Sequence, residues 1–142
     1  MRGKQQGGPS HFLAVPLDDE GAAEIEYYRA YMRERYGCQS GHRTEPHITL
    51  IPPFAMGDQD SCDLLLEAFM VETVKLPRAF NARAEGFGAF AERTLYVRVV
   101  PDSTWNLLRE ALRRKLVKAL SPELARRIPL LREPFIPHLS IA

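Results

Sequence analysis

Apolar and polar positions alternate with recognisable periods along the chain, and these periods predict a series of strands and helices. Ile25, Tyr28, Met32 and Tyr36 recur at steps of three and four, which is the spacing of one helix face. Acidic residues at 18–20 suit the start of this helix, and Gly37 suits its left-handed end. The predicted helices cover residues 20–36, 61–74 and 104–120, and the predicted strands cover residues 11–17, 46–54, 80–86, 94–100 and 135–141.

The second helix and the segment before the fourth strand have features of their own. Asp60 or Ser61 is expected to cap the second helix, and the residues expected to face inward are Cys62, Leu65, Phe69 and Met70. The glycine-containing segment 86–93 is expected to be a long hairpin connection between two strands.

The order of these elements, β-α-β-α-β-β-α-β, indicates an α+β protein with mixed sheets. Residues 1–10 are polar and rich in Gly and Pro, so we expect a flexible N-terminal arm followed by a single domain over residues 11–142.

Composition narrows the class of protein. Of 142 residues, 45% are hydrophobic and 26% charged, which is ordinary globular usage and disfavours disorder or a coiled coil. Nineteen Lys and Arg nearly balance eighteen Asp and Glu, which argues against dense nucleic-acid packaging or attraction to membranes. Cys38 and Cys62 form no CxxC pattern, so neither a disulfide framework nor a cysteine zinc ribbon is expected. With no apolar run long enough to span a membrane, we expect a soluble, cytoplasmic monomer.

One short motif occurs twice. Residues 46–50 read PHITL and residues 137–141 read PHLSI, so both are Pro-His-aliphatic-hydroxyl-aliphatic. Chance should supply these neighbours to a given His only about once in a thousand tries, so the repetition is informative. Similar strand and helix elements precede each copy, which suggests duplicated halves.

Strand geometry explains why this spacing matters. Side chains alternate between faces, so His47 and Thr49 point the same way, about 6–7 Å apart. His138 and Ser140 do the same in the second copy. Each strand would therefore present one imidazole and one hydroxyl in front of buried aliphatic residues, and we expect the two strands to face each other across a cleft.

Two imidazoles and two hydroxyls suit displacement at a phosphodiester. One imidazole removes a proton from the attacking oxygen, and the other protonates the departing oxygen. The hydroxyls can donate hydrogen bonds to the non-bridging oxygens as charge builds there. This chemistry requires neither a metal nor another cofactor.

The paired motifs resemble those of the 2H phosphoesterase superfamily, which includes 2′-5′ RNA ligase-like proteins and cyclic phosphodiesterases. The resemblance also covers the opening strand and helix and the GFGAF…RTLYVRV hairpin. It implies a bilobal fold of two antiparallel or mixed sheets with flanking helices, a pseudo-twofold axis and a central cleft. Members usually continue past the second motif with a helix and a strand, whereas this sequence stops at Ala142, so we expect a short member or a fragment.

The resemblance implies metal-independent hydrolysis of 2′,3′-cyclic phosphates on RNA ends or small cyclic nucleotides. Carried over to this sequence, it makes His47 the general acid and His138 the base that activates water. It also makes Thr49 and Ser140 the hydroxyls that bind phosphate.

Other residues are candidates for substrate contacts. Arg43 and Arg132 lie shortly before the motif histidines and are suited to hold a phosphate or an RNA backbone. Phe87 and Phe90 are suited to stack on a nucleobase.

Several alternatives stay open on the sequence. The motifs are also compatible with ordinary strands that carry a His, or with a two-histidine metal site, although no third ligand is evident. A cleft of the same kind would also suit a nucleotide- or RNA-binding module without turnover, or a 2′-5′ RNA ligase.

Overall fold

The described part of the chain contains five strands and four helices. The computed structural model describes residues 11–39, 44–56, 59–70, 79–129 and 135–142. Strands β1 and β2 form one sheet, and a second, antiparallel sheet has the order β3-β4-β5. The expected α+β class is therefore confirmed. The elements in chain order are β1 (His11–Pro16), α1 (Asp19–Tyr36), β2 (His47–Phe54), α2 (Gln59–Met70), β3 (Ala84–Phe90), β4 (Thr94–Val99), α3 (Ser103–Ala119), α4 (Pro122–Arg127) and β5 (His138–Ser140).

Helix α1 begins and ends where its sequence predicts. The carboxylate of Asp18 accepts a hydrogen bond from the backbone N–H of Gly21 at 2.8 Å, which is the N-cap interaction. At the other end Gly37 has φ of 67°, and its N–H donates to the carbonyl of Arg33 at 2.9 Å. The prediction of the inward face is confirmed at Ile25, which is buried, and is wrong at Tyr36, which is exposed.

Helix α2 departs from its prediction at its start and at one residue of its inward face. It begins at Gln59, so Asp60 and Ser61 lie inside the helix and neither is its N-cap. Met70 is 78% exposed and does not face inward, whereas Leu65 is buried as expected. Residues 71–74 of the predicted helix lie outside the described part of the chain.

The connection between β3 and β4 is shorter than predicted. Residues 86–90 belong to β3, which pairs with β4, and only residues 91–93 form the turn. Ala91 has φ of 49° there, a conformation that suits a tight connection. Strand β3 is an edge strand that is mostly exposed, so burial imposes no alternation of apolar residues that the sequence could reveal.

Helices α3 and α4 each begin at a side-chain N-cap. Asp102 caps α3 by accepting from the N–H of Thr104 at 2.9 Å, and Ser121 caps α4 by accepting from Leu124. Strand β5 is shorter than predicted, although the N–H of Ile141 still donates to the carbonyl of Leu95 at 2.9 Å.

The chain divides into two compact units, and each is assembled from three separate segments. The first contains the described residues within 11–13, 51–80 and 102–135, and the second contains those within 14–50, 81–101 and 136–142. Both repeated motifs belong to the second unit. The core of the first unit is formed by Ile51, Phe54, Met56, Leu65, Leu116, Leu120, Leu124 and Ile128.

The expected N-terminal arm, residues 1–10, lies outside the described residues. Among the helices that the structure describes, none has the length and apolar character to cross a membrane.

Candidate active site

The two repeated motifs have the same burial pattern. In residues 46–50 and in residues 137–141, the first, third and fifth positions are buried and the second and fourth are half-buried. In each copy the His and the hydroxyl residue therefore share one face, and the aliphatic residues pack inward, as the strand period requires. The buried aliphatic residues are Ile48, Leu50, Leu139 and Ile141, each at most 5% exposed.

The two motif histidines are also held in the same way. Nδ1 of His47 lies 2.6 Å from the carbonyl oxygen of Glu45, and Nδ1 of His138 lies 2.7 Å from the carbonyl oxygen of Ile136. A carbonyl oxygen only accepts hydrogen bonds, so in each ring Nδ1 carries the proton and donates it. The neutral imidazole then has its lone pair on Nε2, which is the nitrogen suited to exchange a proton with a substrate.

A buried arginine connects the backbones of the two motif regions. Arg29, on α1, is 2% exposed. Its Nε donates to the carbonyl of Ser140 at 3.2 Å, and its Nη1 donates to the carbonyl of Thr44 at 2.8 Å, three residues before His47. One guanidinium group thus contacts main chain of β5 and main chain that leads into β2.

Two aromatic rings surround His138 on the β3-β4-β5 sheet. Its ring centroid lies 4.9 Å from that of Phe90 and 5.2 Å from that of Tyr96. Phe90 and Tyr96 are themselves stacked, with centroids 4.3 Å apart. Gly88, directly opposite Tyr96, leaves space for this ring because it has no Cβ.

The structure separates the two phenylalanines that the sequence grouped as candidates for base stacking. Phe90 lies beside His138. Phe87 pairs directly with Val97, one position away from the Tyr96 pair, and neighbouring positions of a strand point to opposite faces. Phe87 therefore lies on the face opposite His138, where its ring contacts that of Tyr28 at 5.3 Å.

Arg98 lies on the same face as His138. The two residues are directly opposite each other in the antiparallel pair of β4 and β5. The N–H of Val99 donates to the carbonyl of Pro137 at 3.2 Å, so the adjacent Arg98–His138 pair is of the non-hydrogen-bonded kind, in which side chains come closest. The exposed Arg98 guanidinium is a candidate to contact an anion bound at His138.

The other two arginines that the sequence predicted, Arg43 and Arg132, lie outside the described residues. Sequence reasoning missed Arg29 and Arg98. For Arg29 a signal was available, because it lies four positions after Ile25 and so on the inward stripe of α1. For Arg98 the signal was only the alternation within β4, since its pairing with His138 depends on a remote strand. Within the described ranges, no group of three or more His, Cys, Asp or Glu is arranged to hold a metal ion.

Comparison with known proteins shows what the chain is similar to in sequence and in fold. A search of curated protein sequences found no match. Among solved structures, the chain is similar to the protein TT0787 of Thermus thermophilus, with 25% identity and a TM-score of 0.67, over 92% of this chain and 71% of that one. The family model of the 2′-5′ RNA ligase superfamily matches residues 17–142, a range that contains both motifs. The resemblance that the motifs carry is thereby confirmed, and the chain belongs to the 2′-5′ RNA ligase superfamily, the family of 2H phosphoesterases.

Proposed function

We propose that this chain hydrolyses 2′,3′-cyclic phosphodiesters at RNA ends or in nucleotides, with His47 and His138 as the acid and base. Membership of the superfamily supports a phosphoesterase or ligase type of enzyme. The observation that carries the more specific proposal is the matching pair of His-x-hydroxyl strands, each with its imidazole Nδ1 bound to a main-chain carbonyl two residues earlier.

In the proposed reaction, Nε2 of His138 removes a proton from water while the water oxygen attacks phosphorus. The bond between phosphorus and one ribose oxygen breaks, and the protonated His47 delivers a proton to that oxygen. The product is a phosphomonoester, and the family resemblance favours a 2′-phosphate. Proton exchange with solvent then returns both rings to their starting states.

The neighbouring groups fit the charge that develops during this step. The hydroxyls of Thr49 and Ser140, each on the face of its histidine, would donate to the non-bridging oxygens. The guanidinium of Arg98 would add a positive charge next to His138. Phe90 stays in the proposal as a surface for the nucleobase, because it lies beside His138.

The proposal is tested by a screen of 2′,3′-cyclic nucleotides in the presence of EDTA. We expect turnover by the wild type, with His47→Ala and His138→Ala each losing about 10²–10⁴-fold in kcat, the usual contribution of a general acid or base. His11→Ala is the matched control, because His11 lies outside the motifs and should retain activity. Full activity in either motif variant would contradict the assignment.

The name of the superfamily favours one second candidate, formation of a 2′-5′ linkage. In that reaction the 5′-hydroxyl of a second RNA replaces water as the group that attacks the cyclic phosphate. An assay with a cyclic-phosphate end and a 5′-hydroxyl end together tests this, and absence of joined product excludes it. If calorimetry instead finds tight mononucleotide binding and no assay finds turnover, the chain is a binding module.

A further inference from the structure

Arg29 carries a positive charge at a buried position, and burial of a charge costs free energy. Its side chain is 2% exposed, and a guanidinium stays charged under all ordinary conditions. Burial of a charge is tolerated when hydrogen bonds satisfy it. Arg29 meets this condition with the carbonyls of Ser140 and Thr44, and with a carboxylate oxygen of Glu26 at 3.2 Å.

The carbonyl of Ser140 is not directed towards the neighbouring strand β4. Ser140 lies opposite Tyr96, and at the next position along the strand the N–H of Ile141 donates to the carbonyl of Leu95. Backbone groups alternate in direction along an antiparallel strand, so the Ser140 carbonyl points away from β4. Arg29 binds this outer edge of β5, in the middle of the second motif.

The Thr44 carbonyl belongs to the segment that holds the first motif. The next carbonyl in the chain, that of Glu45, accepts the hydrogen bond from Nδ1 of His47. An anchor on Thr44 therefore limits the orientation of the neighbouring peptide group. No equivalent link joins Arg29 to Ile136, whose carbonyl holds His138, among the contacts that the structure describes.

We propose that Arg29 is a positioning residue that holds the two motif strands at one spacing and, through Thr44 and Glu45, orients the imidazole of His47. This inference rests on the proposed function for its catalytic consequence. A rigid planar guanidinium can donate to two carbonyls from two nitrogens at a fixed separation. The ammonium of a lysine is a single point at the end of a flexible chain, so it cannot reproduce that separation.

Arg29→Lys is therefore the informative variant, because it keeps the positive charge and the helix propensity. A shift of about 1 Å between reacting groups costs about 100-fold in rate, so we expect kcat to fall about 10–100-fold with KM changed less than about 3-fold. Arg29→Met, which replaces the charge by an apolar chain of similar length, should lose at least as much. Arg35→Lys, at an exposed position of the same helix, is the control and should match the wild type.

A second readout does not depend on turnover. NMR of the histidine side-chain nitrogens, at a pH where the rings are neutral, reports which nitrogen carries the proton. We expect wild-type His47 and His138 both to show the Nδ1–H form. In Arg29→Lys, His47 should show a mixture of the two forms, whereas His138 should keep its form.

The outcomes are distinct. If the wild type turns over no cyclic phosphate and joins no ends, the proposed function fails, and the NMR comparison alone then decides the role of Arg29. A folded Arg29→Lys with wild-type kcat or an unchanged His47 spectrum overturns the inference. If neither Arg29→Lys nor Arg29→Met folds, Arg29 serves the stability of the fold, and the positioning role is likewise overturned.

Discussion

Substitution of Gly88 tests whether the position of the Tyr96 ring beside His138 depends on the absence of a side chain at residue 88. A Cβ placed on Gly88 would lie 2.6 Å from Cζ and 2.7 Å from Cε2 of Tyr96, and 2.7 Å from its hydroxyl oxygen. Carbon atoms in good contact are about 3.5–4.0 Å apart, so Gly88→Ala forces a displacement of about 1 Å between the new methyl and the ring. The Tyr96 ring is 8% exposed and stacked on Phe90, so it cannot simply turn into solvent.

The expected cost follows from these contacts. An extra methyl in a packed site destabilises by about 1–3 kcal/mol. For a protein of this size each kcal/mol lowers Tm by about 2–4 °C, which thermal denaturation measures readily. The ring of His138 lies 5.2 Å from that of Tyr96, so we also expect kcat on a cyclic phosphate to fall about 10-fold or more.

A double-mutant cycle separates this clash from a general effect of alanine. Tyr96→Val removes the ring, so Gly88→Ala in that background should be neutral or stabilising by about 0.5–1 kcal/mol, because Ala loses less backbone entropy than Gly in a strand. The sign of the Gly88→Ala effect should therefore reverse between the two backgrounds. A Gly88→Ala variant as stable as the wild type, with Tyr96 present, would refute the reasoning.

Three further expectations concern charge and capping. Arg98→Gln should lower kcat/KM on a cyclic phosphate about 10–100-fold, the worth of one charge-assisted hydrogen bond, and unchanged kinetics would remove Arg98 from the site. Asp102→Ala should destabilise α3 by about 1 kcal/mol in thermal denaturation, whereas Asp102→Asn, also a good cap, should not; equal Tm values for both would contradict the capping role. A hydrogen bond from Arg113 lowers the pKa of Glu110, so the ion pair stabilises the fold above the ordinary value of 4.5 and loses this effect as the pH falls through the lowered pKa. The difference in Tm between the wild type and Glu110→Gln should therefore shrink from pH 7 to pH 3, and a difference that grows would be inconsistent with this ion pair.

The sequence by itself determined the features whose causes lie within a few residues. Helix α1 begins after Asp18 and ends at Gly37 because a cap and a left-handed glycine act on the adjacent turn. The shared face of His47 and Thr49 follows from the period of a strand, which any alternating segment obeys. The repetition of the same short pattern around His138 was enough to indicate the family, since it is a property of the chain alone.

Only the tertiary structure decided which remote groups meet. The pairing of Arg98 with His138 depends on the register of two strands about forty residues apart, and no local pattern encodes a register. The tertiary structure also decided the second half of β3. Residues 87–90 resemble a connection in sequence, but they form a strand because β4 pairs with them. Arg29 differs from both, because its place on the inward stripe was visible. Its acceptor in β5 lies 111 residues away, and burial of its charge is favourable only once that carbonyl is in place.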